Sequence, residues 1–62
     1  MAHSPQYQVR ESARSIEIEI GKLLDLTEML KKDGNDALAA TLSNQANKLM
    51  DVAIALRIAS AH

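Results

Sequence analysis

The chain has no cysteine, no tryptophan and no phenylalanine, and it carries one tyrosine, one proline and two glycines. Without cysteine there is no disulfide framework and no thiolate zinc site, and the gap fits a reducing compartment. The two histidines, His3 and His62, stand at the extreme ends of the sequence, where chains usually fray and solvated tails outnumber ligands or bases. With Tyr7 the sole aromatic, leucine, isoleucine, valine, methionine and alanine must build the core, which is the composition of a helical bundle. No stretch approaches the roughly 18 apolar residues of a membrane span, and no apolar segment follows a basic start as in a secretory leader. These gaps lead us to expect a soluble, cytoplasmic protein without a membrane partner. A formal net charge of −1 gives no field that would gather nucleic acid or acidic lipid non-specifically.

Length narrows the choice further. A chain of 62 residues is one domain, expected over 1–62 with residues 1–4 and 61–62 as flexible ends. Below roughly 70 to 80 residues a single core seldom supplies more than ~3 to 5 kcal/mol, so small proteins lean on disulfides, metals or oligomerisation. With the first two set aside, self-association is the expected support.

What is present is helical periodicity. Ser4 followed by Pro5 is a helix start, since serine can cap free amides and proline at the first helical position gives up no hydrogen bond. From there Val9, Ala13, Ile16, Ile20, Leu23, Thr27 and Leu30 recur at alternating spacings of four and three, one stripe along one helix. Ser15 to Ile20 also alternates with period two, but the longer helical pattern around it prevails. Lys31 and Lys32 suit the negative end of a helix dipole, Gly34 suits a left-handed residue after the last turn, and Asn35 can cap a second helix. In that helix Leu38, Leu42, Gln45, Leu49, Val52, Leu56 and Ala59 repeat the spacing. So short a link forces the second helix back along the first. The expectation is an all-α, antiparallel two-helix hairpin, about 5–32 and 36–60, that self-associates into a four-helix bundle, most simply as a homodimer.

Apolar residues beyond the two stripes support association. Leu24 and Leu26 widen the first stripe to the breadth of a bundle core, giving an expected self-association core of Ile16, Ile20, Leu23, Leu24, Leu26, Leu30, Leu38, Leu42, Leu49, Val52 and Leu56. Ile18, Ile54 and Ile58, with Met50 as an adaptable neighbour, form an expected second surface for another protein. Ala46 and Ala53 flank the second stripe and are read as sites of close helix approach, whereas Ala40 is read as a helix former. Thr27 and Gln45 are expected to fix register as polar seam residues.

No nucleophile stands beside a base, no carboxylates pair on an apolar face, and neither metal-ligand spacing nor a phosphate-cradling glycine loop is present, so no enzymatic activity, cofactor or metal is expected. Glu28 and Lys32 have the spacing of a solvated ion pair. Arg10, Arg14 and Arg57 gather at one end of the hairpin and make nucleic acid the alternative partner, ranked below protein because Glu17 sits near Arg14 and no aromatic stands beside the arginines. The layout, in Ala13-Arg14, Leu23-Leu24, Leu30, the turn at Asp33, then Leu42, Ala46 and Leu49, resembles the Rop family of plasmid copy-number regulators. That resemblance implies a hairpin dimerising into a four-helix bundle that binds paired RNA loops. Where that family places basic and amide residues around an outward phenylalanine, this chain has Glu11, Ser15, Ile18 and Glu19, so the resemblance extends to architecture and not to RNA. The sequence therefore reads as a small non-enzymatic regulatory or adaptor protein.

Overall fold

The computed structural model describes residues 5–61 and shows two helices, α1 over Pro5–Lys32 and α2 over Asp36–Ser60, folded back on each other. The expected boundaries agree with these. His3, Ser4 and His62, and with them the expected serine cap and the ends at 1–4 and 62, lie outside the described residues.

Three residues make the turn. Asn35 N–H donates to the Leu30 carbonyl at 2.8 Å and Gly34 N–H to the Lys31 carbonyl at 3.0 Å, the paired bonds of a Schellman ending. Gly34 sits at φ 81°, the left-handed conformation that a side chain would strain. Asn35 then opens α2: its side-chain oxygen accepts from Leu38 N–H at 3.4 Å, and its carbonyl accepts from Ala39 N–H at 3.1 Å. At the other end of α2, Ala61 N–H donates to the Ile58 carbonyl at 3.2 Å.

The inward face of α1 is the expected stripe, with Ala13, Ile20 and Thr27 buried and Val9, Ile16, Leu23 and Leu30 half-buried. On α2 the seam lies elsewhere. The buried residues there are Ala39, Ala46 and Ala53, with Leu42, Leu49 and Leu56 half-buried, while Leu38, Gln45, Val52 and Ala59 are exposed. Half of the row expected in the seam is thus displaced by its neighbours one position on. The cause is size: alanine lets the helix axes close in around Ile20, which clusters with Ala46 and Ala53 against Ile16, Leu23 and Leu49. Burial of Ala46 and Ala53 agrees with their reading as close-approach sites. Thr27 does not act with Gln45, because its hydroxyl donates to its own helix, to the Leu23 carbonyl at 2.8 Å, and Gln45 is exposed.

The result is one layer thick. Its extents are 49 × 19 × 11 Å, and the last figure is about the diameter of a single helix. The radius of gyration is 14.5 Å, where a compact chain of this length would have about 11 Å. Its accessible surface is 4681 Å², against about 4,000 Å² for a compact monomer of the same mass. None of the eight leucines is buried: five are half-buried and three exposed. A single layer has nowhere to hide them.

Candidate interaction surfaces

Helical geometry sorts the exposed residues into two broad faces. Each buried position points at the other helix, so the residue before it projects about 100° to one side and the residue after it about 100° to the other. Glu17 and Arg57 each follow a buried alanine by four, about 40° toward the second side. They meet across the hairpin, Arg57 Nη2 to Glu17 Oε1 at 2.7 Å and Nε to Oε2 at 3.1 Å, which places the second sides of both helices on a common face. The first sides therefore share the opposite face.

That opposite face, face A, carries the half-buried Val9, Ile16, Leu23, Leu30, Leu42, Leu49 and Leu56 together with the exposed Ser12, Glu19, Leu26, Leu38, Gln45, Val52 and Ala59. Eleven of these fourteen are apolar, and Glu19 is the one charge. Lys22 Nζ donates to Glu19 Oε1 at 3.3 Å from the rim. The α2 row expected in the hairpin seam is, in full, the α2 half of face A. Of the eleven residues expected to form a self-association core, nine lie here. Ile20 is instead spent inside the hairpin, and Leu24 lies on the other side.

The other face, face B, is polar. It presents Arg10, Arg14, Glu17, Glu28, Lys31, Asp36 and Arg57 around a small apolar centre of Leu24, Met50 and Ile54. Seven residues toward the turn from the Glu17–Arg57 pair stand Leu24 and Met50, and seven further stand Lys31 and Ser43. These last two, with Asp36, Ala39, Ala40 and Asn44, line an open depression of about 450 Å³. The hydrogen bonds from Arg57 hold the Glu17 carboxyl below its ordinary value near 4.5, and the same bonds raise the Arg57 guanidinium further. Among the described residues Glu28 and Lys32 form no salt bridge; the one short-range ion pair on α1 is Glu19–Lys22.

The expected second surface does not form one patch. Met50, Ile54 and Ile58 follow one another at four-residue spacing along α2, running from face B toward its outer edge, whereas Ile18 projects to the outer edge of α1, at roughly 140° to 160° from the line joining the helices. Arg10, Arg14 and Arg57 lie toward the same end of the hairpin, and helical projection puts all three on face B, with Arg57 engaged by Glu17. Sequence reasoning missed the Glu17–Arg57 pair, which spans 40 residues and depends on register.

Among the described residues no helix is long and apolar enough to cross a membrane, and no three histidine, aspartate or glutamate side chains group as a metal site would require. No family model, curated protein or solved structure matches the chain, so the likeness to Rop rests on its residue pattern alone.

Proposed function

We propose that the protein is a small non-enzymatic regulatory or adaptor protein that works through protein–protein contacts as a homodimeric four-helix bundle, with face A as the self-association surface. The observation that carries this reading is the contrast between faces: one charge among fourteen residues on face A, seven around the smaller apolar centre of face B. Size agrees. A face of 49 × 19 Å offers on the order of 900 Å², close to the roughly 800 Å² per partner of a stable interface. Pairing two A faces would give the half-buried leucines the second layer that a lone hairpin lacks. Face B would then point outward, presenting Met50 and Ile54 to a second protein. The test is sedimentation equilibrium across a dilution series, where a dimer is expected and a monomer at all accessible concentrations would defeat the proposal.

The nucleic-acid reading keeps one observation in its favour, the gathering of Arg10, Arg14 and Arg57 on a face that dimerisation would leave open. Against it, the Arg57 charge is already met by Glu17. A mobility-shift assay with mixed RNA and DNA decides this: salt-dependent binding that is lost on changing Arg10 and Arg14 to alanine would favour it over the adaptor reading.

A further inference from the structure

We infer that face B docks a helix from a partner protein, which crosses α1 over Gly21, sets apolar side chains against Leu24, Met50 and Ile54, and points carboxylates at Arg10 and Arg14. This gives the adaptor reading proposed above, on which it rests, a partner of defined chemistry. Glycine in the middle of a helix is less stable than alanine, because it has more backbone freedom to lose. Gly34 needs its left-handed φ of 81°, but Gly21 lies inside α1 without a positive φ, and a methyl group added there would meet nothing within 4 Å. Neither the backbone of α1 nor its packing on α2 calls for glycine at this position. A second backbone lying across it would.

Gly21 directly follows the buried Ile20, so it opens onto face B. It lies about 6 Å toward the turn from Glu17, while Ile54 and Met50 lie about 4.5 and about 10.5 Å toward it from Arg57. Since Glu17 and Arg57 touch, Gly21 stands at a height between Ile54 and Met50, with Leu24 three residues further along α1. All three large side chains are exposed and together wall a notch whose floor is bare helix backbone. Apolar walls favour a protein side chain over a phosphate backbone as the occupant. Charge gives that occupant its sign. Toward the open end stand three arginines, Arg10, Arg14 and Arg57, against two glutamates, Glu17 and, at the outer edge, Glu11. Both Glu17 oxygens are held by Arg57, and among the described residues Arg10 and Arg14 form no salt bridge. Carboxylates at one end of the docked helix would complement them.

The probe is a fluorescent, alanine-rich peptide of about 18 residues, long enough to be helical alone, with a leucine stripe at three- and four-residue spacing and glutamates in its first turn. Its counterpart carries lysines in place of the glutamates. Fluorescence anisotropy with the full chain should show binding of the acidic peptide and weaker binding of the basic one. Gly21→Ala should weaken the acidic peptide at least about tenfold and Gly21→Leu should abolish its binding, because the added side chain fills the notch. Thermal melting separates this from unfolding, since Gly21→Ala should melt higher than the parent. Arg10→Glu combined with Arg14→Glu should reverse the preference toward the basic peptide. Binding that Gly21→Leu leaves intact, or that Leu26→Ala removes instead, puts the peptide elsewhere and overturns the inference. A protein that sediments as a dimer and binds neither peptide overturns the docking and leaves self-association standing, whereas a monomer mass overturns the reading beneath it.

Discussion

Leu26→Ala and Leu24→Ala form a matched pair. The two leucines are two residues apart on one helix and nearly equally exposed, at 44% and 41%, yet they occupy opposite broad faces. Full burial of a leucine side chain is worth about 1.5–3 kcal/mol, so covering the exposed share of Leu26 would contribute about 0.7–1.3 kcal/mol per copy. Two-fold symmetry doubles this, and its loss corresponds to a dimer dissociation constant weakened roughly ten- to seventy-fold. Leu24→Ala should leave that constant within about twofold, because face B gains no cover. Helix propensity favours alanine slightly over leucine in both variants, so it cannot separate them. Sedimentation equilibrium or concentration-dependent thermal melting measures the difference. Equal weakening by both, or a larger effect from Leu24→Ala, would refute the assignment of faces.

Other expectations follow from the packing and the turn. Ala46→Leu adds bulk where two helices touch and should cost about 1–3 kcal/mol in thermal or denaturant unfolding, while Ala40→Leu, on an exposed position, should change little. Gly34→Ala forces a side chain into the left-handed region and should destabilise by about 1–2 kcal/mol, whereas Gly21→Ala, with open space around it, should stabilise by about 0.5–1 kcal/mol. The folded-state value of Glu17 lies below 4.5, so the Glu17–Arg57 pair contributes stability above about pH 4.5 that is lost as pH falls through the folded value. Glu17→Gln should remove that component from an acid titration of stability, and an unchanged profile would show that the pair contributes nothing measurable.

Both helices, their ends and the turn chemistry were legible because each signal is local: an alternation of fours and threes, a glycine where φ must be positive, an asparagine where amides need an acceptor. On α1 all seven stripe residues are buried or half-buried, Ala13, Ile20 and Thr27 pointing at α2 and the other four turned partly toward face A. On α2 the inward direction could not be read in the same way, since Leu42, Leu49 and Leu56 can be joined either to Leu38, Val52 and Ala59 or to Ala39, Ala46 and Ala53. Hydrophobicity favours the larger set. Close approach of two backbones favours the smaller one, and only the assembled hairpin weighs that term. Leu24 and Leu26 illustrate the same ambiguity, since both flank the α1 stripe and only the position of α2 puts them on different faces. Contacts such as Glu17–Arg57 require knowing how far one helix has slid along the other, which no local pattern records.

Asn35 belongs to both helices at once: its amide closes α1, while its carbonyl and its side chain open α2. Neither rod can loosen at that junction without disturbing the other. Unravelling must therefore begin at the open end, around Val9 and Ser60, and travel inward like a zip. Amide protons should accordingly exchange with deuterium more slowly the nearer they lie to Leu30 and Ala39. The loop, ordinarily the loosest part of a small protein, would be the clasp of this one.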